Sequence, residues 1–370
     1  MVEITTRLPP VTGFAASRAK LLTEVEAHGG TVDHHVHPEL GPDGTEIATD
    51  VARFGAPIGS ADTVVVIASG THGVEGHGGS GLQRLVLAGG RLDTLPPGVA
   101  VVLIHAVNPY GMAWSRRVDH DNIDVNRNFI DFDEPLPDND GYRELSPLLN
   151  PTTAEFDPAD DAWQDELWAK ATIIGMTETF RAVSGGQFHM PEGVQFGGNA
   201  PSWSALTLRS IWARHLTGAH AVINLDLHTG LGACGGKVIF QSADEGDAAA
   251  EVAARHFDNV LRSDRPETTD PVMVGILGPA LEDHLDASTL TVPLVVEFGT
   301  HDAPTVLAAM RADNWLHQHG EPSSPLGERI GSSMRDAFYI DDETWRTQVA
   351  DHGLSTIHAA LDAAGDRLAG

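Results

Sequence analysis

The runs TVVVIAS (63–69), VAVVLIHAV (99–107) and LTVPLVVEFGT (290–300) carry apolar side chains at nearly every position. A strand with one wet face alternates apolar and polar residues, so a run without alternation reads as a strand covered on both faces. Such strands need helices above and below. Helical patterns do separate them, at 12–28, 79–88, 161–183, 203–216, 304–318, 326–336 and 343–364. Further strands are expected at 220–228 (HAVINLDLH) and 236–241 (GKVIFQ), and TVDHHVH (31–37) is compatible with another. The pattern predicts an α/β protein, a three-layer sandwich with a central mixed, mostly parallel sheet flanked by helices.

No linker divides the 370 residues, so one domain spanning 1–370 is expected. Two stretches near 131–160 and 185–202 read as long loop insertions, the first rich in Asp and Pro and the second in Gly. Loops of that length suit the rim of a functional site. Cys234 is the single cysteine, which excludes an intrachain disulfide framework and fits a reducing compartment. The first twenty residues have no apolar core of signal-peptide length, and no window has the apolar length of a membrane span. The expectation is a soluble, cytoplasmic protein with no membrane partner. A formal charge of −29 repels a phosphate backbone and argues against nucleic acid. A homo-oligomer stays open.

In open α/β sheets ligands bind beyond the carboxyl ends of the strands. After 63–69 the chain reads SGTHGVEGHGGSG, which places His72 and Glu75 on glycine-rich backbone. After 99–107 come Asn108, Arg116 and Arg117, then NIDVNRNF with Asp124, Asn126 and Arg127. His228 ends the strand 220–228, and Glu297 stands in the apolar run TVPLVVEFG. H-x-x-E alone is a weak signal and occurs twice, at His72/Glu75 and His189/Glu192; the second lies in a loop with Pro191 inside it. Two His and one carboxylate form a catalytic zinc set with a fourth position left to water. A carboxylate inside an apolar strand must be neutral, paired or beside a cavity. Glu297 therefore reads either as a structural ion-pair partner or as a general base. Arg offers a planar fork suited to carboxylates and developing oxyanions.

The ordered set H-x-x-E, N-P, R, D-x-N-R-N-F, strand-ending His and strand Glu over residues 72–297 resembles the zinc carboxypeptidase family, the carboxypeptidase A-like metallopeptidases. Within it the chain is similar to an uncharacterised bacterial carboxypeptidase-like branch. The resemblance implies one Zn2+ per chain held by His72, Glu75 and His228. It implies Glu297 as general base toward the zinc-bound water and then proton donor, and Arg117, or its neighbour Arg116, facing the oxyanion. Asn126 and Arg127 would hold the substrate's free carboxylate, and Asp124 would hydrogen-bond His72. The chain departs from the digestive-type enzymes in two places. Tyr110, Tyr142 and Tyr339 do not match their active-site Tyr, and Thr71 and Gly73 flank His72 where those enzymes have an Arg next to the first zinc His.

The implied activity is carboxypeptidase-type hydrolysis of an amide bond next to a free carboxylate, on a small peptide. The alternatives are an N-acyl amino acid deacylase of the aspartoacylase-like type and, in another class, a catalytically inactive binding protein that keeps the pocket. GLGACG (230–235) matches G-x-G-x-x-G but precedes a strand pattern, so it reads as a turn beside His228 rather than a dinucleotide site. Cys234 reads as a small packed residue. Glu282 and Asp283 fall in a region that could line a specificity pocket.

Overall fold

The structure, a computed structural model, describes residues 6–153, 155–244, 246–262, 273–366 and 368. Its strands are β1 (Thr31–Leu40), β2 (Glu46–Gly55), β3 (Thr63–Ser69), β4 (Val99–His105), β5 (Ala221–Cys234), β6 (Lys237–Gln241), β7 (Val260–Arg262) and β8 (Leu290–Gly299). They form one sheet in the order β1-β2-β4-β3-β5-β8-β6-β7. The four central strands, β4, β3, β5 and β8, run parallel, and antiparallel pairings of β2 with β4 and of β6 with β8 extend the sheet on each side.

The helices are α1 (Phe14–Ala27), α2 (Gly76–Ala88), α3 (Pro109–Trp114), α4 (Asp140–Leu149), α5 (Ala162–Ile174), α6 (Met176–Ser184), α7 (Trp203–His215), α8 (Ala248–His256), α9 (Leu277–His284), α10 (Ala303–His319), α11 (Pro325–Phe338) and α12 (Glu343–Gly365). The continuous apolar runs are explained by two cores. Val65 and Ile67 of β3 enter one, with Leu82 of α2 and Val349 and Ile357 of α12. Val64, Val66 and Ala68 enter the other, with Leu208 and Trp212 of α7 and Leu281 of α9. Alternate residues of one strand thus feed opposite layers, and both layers are apolar. No helix among the described residues is long and apolar enough to cross a membrane.

Four local expectations need correction. The sequence pattern misses β2, whose buried positions include Asp50 and Arg53. Each is compensated: Arg18 donates to Asp50 through Nε at 2.7 Å and Nη2 at 3.0 Å, and Arg53 donates to the carbonyls of Ala56 and His215 at 2.9 and 2.8 Å. The stretch 131–160 is not all loop, because α4 lies inside it. Asn139 caps α4 by accepting from Tyr142 N at 2.9 Å. Pro147 near its end removes a backbone donor, and Ser146 Oγ donates to Arg143 O at 3.0 Å in its place. The helical pattern 161–183 is broken into α5 and α6 at Gly175, whose φ is +95°. Finally, β5 continues through Gly230 and Gly232 to Cys234 and the chain turns only at Gly235, so Leu231–Cys234 is an exposed strand extension, and Cys234 is exposed rather than packed.

Candidate metal centre

β3 pairs with β4 on one side and β5 on the other. The chain therefore leaves the ends of β3 and β5 toward opposite halves of the sheet, which opens a crevice there. Gly70, with φ of +72°, turns the chain out of β3. His72 follows, and a single 3-10 turn, Gly73–Glu75, leads into α2. Gly73 is required by contact: a Cβ there would lie 2.2 Å from the backbone of Gly111. The turn is pinned to the segment after α3, with Gly73 N donating to Arg117 O at 3.1 Å and Val74 N to Arg116 O at 2.8 Å.

These constraints bring together the three residues expected to bind metal. Their donor atoms all lie within 4.8 Å of one another, and all three side chains are buried. Glu75 Oε1 is 2.9 Å from His72 Nδ1, Glu75 Oε2 is 3.0 Å from His228 Nδ1, and the two Nδ1 atoms are 3.2 Å apart. Lone pairs crowded this closely repel unless a proton or a cation lies among them. Burial by itself would raise the Glu75 carboxyl, but the His72 and His228 rings outweigh it and hold Glu75 below its ordinary range. Burial would likewise lower His228, yet Asp226 and Glu75 outweigh it and hold His228 well above its ordinary value. The donor set, its burial and its stored negative charge fit a divalent cation.

Each ring is backed by a carboxylate on its far side. Asp124 Oδ1 lies 3.2 Å from His72 Nε2, as expected from the sequence. Asp226 Oδ2 lies 2.8 Å from His228 Nε2, an ion-pair contact off the line of a hydrogen bond, and Asp226 Oδ1 accepts from Thr71 Oγ1 at 2.7 Å. Asp226 is absent from the sequence reading, although a signal existed: residues i and i+2 of a strand share a face, and Asp226 stands two before His228. Asp124 is buried, which would raise it, but Arg117 and His72 hold it well below the carboxylate range.

Arg117 lines the cavity beside the cluster. It donates to Asp124 and, at 3.1 Å, to Gln195 Oε1, and its Nη2 is 2.7 Å from His72 Nε2. Arg116 does not join it. Its guanidinium turns away to Asp313 at 3.2 Å and Asn122 Oδ1 at 3.0 Å, so the alternative assignment of the oxyanion to Arg116 is corrected: its charge is already paired outside the main cavity. Asn126 Oδ1 accepts from Leu277 N at 2.9 Å, which leaves its NH2 end for the cavity it lines. Arg127 donates to Ser184 O at 2.8 Å and to its neighbour's carbonyl, Asn126 O, at 2.7 Å. No carboxylate forms an ion pair with Arg127 among the described residues, and burial pulls its guanidinium down to about 10. Its Nη2 also lies 3.2 Å from Met273 Sδ, so the guanidinium meets carbonyls and a thioether but no ion-paired carboxylate, an arrangement that suits an anion.

Glu297 stands directly opposite His228 in the β5–β8 register. The residue is half-buried and lines the same cavity, with Leu231 N donating to Oε2 at 3.4 Å. Burial, reinforced by the nearby Glu75 charge and opposed by His228 and His72, pushes its carboxyl up to about 7. The cavity itself is about 440 Å³ and is roofed by α5 and α6. That roof was not foreseen. Glu282 and Asp283 lie on α9 and do not line the cavity, and neither do Tyr110, Tyr142 or Tyr339. His189 and Glu192 are outside the cluster.

The chain belongs to the family DUF2817, described as protein of unknown function; the match covers residues 11–352. No curated protein matches it. Among solved structures it is similar to the carboxypeptidase A of Helicoverpa armigera, with 12% identity over 88% of this chain and 74% of that one and a TM-score of 0.43. It is similar to a metallo-carboxypeptidase from Burkholderia cenocepacia, with 12% identity, 93% and 68% coverage and a TM-score of 0.40. It is also similar to an aspartoacylase family protein from Mesorhizobium loti, with 16% identity, 78% and 67% coverage and a TM-score of 0.39.

Proposed function

We propose that the chain is a zinc-dependent amide hydrolase acting next to a free carboxylate, as a carboxypeptidase does. The observation that carries this reading is the meeting of His72, Glu75 and His228 at one point, with Glu297 on the adjoining strand. His72, Glu75 and His228 hold one Zn2+, which supplies Lewis acidity to the attacking water and to the scissile carbonyl. Glu297 takes a proton from the water as its oxygen bonds to the carbonyl carbon. A carboxyl whose affinity for protons is raised by burial can accept that proton and then release it. Arg117 faces the negative charge that grows on the carbonyl oxygen. The C–N bond then breaks, Glu297 passes its proton to the leaving nitrogen, and the products are a carboxylic acid and an amine.

Arg127 and the NH2 group of Asn126 receive the substrate's own carboxylate. Small peptides and N-acyl amino acids both satisfy that requirement, and the buried guanidinium of Arg127, which has no ion-paired carboxylate among the described residues, favours an anionic substrate in either case. The test is metal content of protein purified without chelator, by elemental mass spectrometry, followed by release of free amino acid from dipeptides and N-acyl amino acids. About one zinc per chain is expected. Glu297→Gln is expected to keep the zinc and lose the hydrolysis. Undiminished turnover in that variant, or a wild type that takes up no zinc, sinks the proposal.

A further inference from the structure

The roof of the cavity is unlike its floor. Trp163, Leu167 and Trp168 of α5 and Met176, Phe180 and Val183 of α6 line it. The polar side chains that α5 and α6 turn to the cavity ahead of their last residue, Ser184, are Gln164 and Thr179, and Thr179 Oγ1 is already donated to Gly175 O at 2.9 Å. Being helical, these segments spend their backbone N–H and C=O groups on themselves. An extended peptide lying against them would bring its own N–H and C=O groups to a surface that cannot answer them, at a cost for each group taken from water. A strand edge could pair with a peptide, but a helix face cannot. An alkyl chain asks for nothing except apolar contact.

The roof also has a direction. Its inner end is fixed beside Arg127, which holds the carbonyl of Ser184 at the end of α6, and there Trp163 and Val183 are buried. Its outer end reaches solvent, with Trp168 43% and Met176 54% exposed. The groove beneath it is therefore anchored by a cation and open to water at the far end. Such a shape takes a molecule with an anionic head and an apolar tail of variable length.

We propose that the chain's substrate is an N-acyl amino acid with a long unbranched acyl chain, the amino acid carboxylate at Arg127 and the acyl chain along the α5–α6 face. This rests on the reading of the site as an amide hydrolase acting beside a carboxylate. The test uses acetyl, hexanoyl, decanoyl and dodecanoyl derivatives of one amino acid, and dipeptides ending in the same amino acid. Binding to zinc-loaded Glu297→Gln protein is measured by calorimetry, and turnover is measured with the wild type. Affinity and kcat/KM are expected to rise by about fourfold for each added CH2 until the chain clears the roof. Trp168→Ala and, separately, Met176→Ser are each expected to cut the decanoyl-to-acetyl ratio, by as much as about tenfold for the Trp.

The outcomes separate the two proposals. Binding and turnover independent of acyl length, or preference for the dipeptides, overturns the acyl site and leaves the hydrolase standing. Length-dependent binding with no amide cleaved overturns the hydrolase and leaves the acyl site standing.

Discussion

The floor and the roof of the cavity are held together by different forces. On the floor, His72 and Glu75 follow β3, Asp226 and His228 stand within β5, Asp124 precedes a 3-10 turn at Val125–Arg127, and each touches at least two other polar groups. The roof is two short helices whose attachments are mainly apolar, with Trp163 and Leu167 against Leu307 of α10 and a cation–π contact of 4.8 Å from Arg311 to Trp163. Their charged pairs, such as Arg181–Glu178 at 2.7 Å, are exposed and contribute little. A network of directional bonds tolerates little displacement, whereas an apolar wall can adapt to its occupant. The difference assigns chemistry to the floor and selection to the roof.

The largest expected effect comes from removing a floor ligand. His228→Ala is expected to abolish zinc retention and hydrolysis together, checked by elemental analysis and amino acid release. It also leaves Asp226 buried without its partner, so a thermal scan should accompany it; His72→Asn tests the same point with less disturbance. Glu297→Gln comes next, with kcat lower by about 10²- to 10⁴-fold and the metal retained. A variant that lost zinc and activity in parallel would place Glu297 among the metal ligands instead.

Asp226→Asn probes the unforeseen brace. Loss of the carboxylate behind His228 is expected to weaken zinc binding by about 10- to 100-fold, read by competition with a chelating dye. Unchanged affinity would reduce Asp226 to a packing residue. The same brace fixes a pH dependence. Asp226 and Glu75 raise His228 above its ordinary value, so the cation-free site carries a proton there at neutral pH. Zinc must displace it, and affinity is expected to rise as pH rises toward the raised value. Calorimetry in buffers of different ionisation enthalpy would report the released proton.

What was legible in the sequence follows the same division. β3 and β4 were readable because both faces of each are apolar, and a continuous run has one simple explanation. β2 hid itself because its buried charges are paired across the fold, by Arg18 from α1 and by carbonyls near His215, and such pairing is invisible along the chain. The donor residues were readable from the apolar runs they close, His72 and Glu75 just past that of β3 and His228 at the end of one that the fold continues as β5. Asp226 was readable in principle by strand alternation. Arg116 and Arg117 are adjacent and chemically identical, so only the fold could show that Asp313, nearly two hundred positions away, claims the first. The helical pattern of α5 and α6 was visible, but nothing local says that it closes over a cavity lined by β5, β6 and β8 and by His72 and Glu75 beyond β3.

The smallest effect tests whether roof and floor are separable at all. Gly175 joins α5 to α6 at φ +95° and ψ 143°, a conformation that strains any residue with a side chain, and nothing lies within 4 Å of the position its Cβ would take. Gly175→Ala therefore adds backbone strain of about 1–3 kcal/mol without a collision. If the roof opens on its own, that strain appears as faster proteolysis or hydrogen exchange within 162–184, with zinc content and the main thermal transition unchanged. If instead the main transition falls by the full amount and exchange accelerates everywhere, the helices are part of one cooperative unit with the sheet. The contrast between a rigid floor and an adaptable roof would then be one of composition and not of stability.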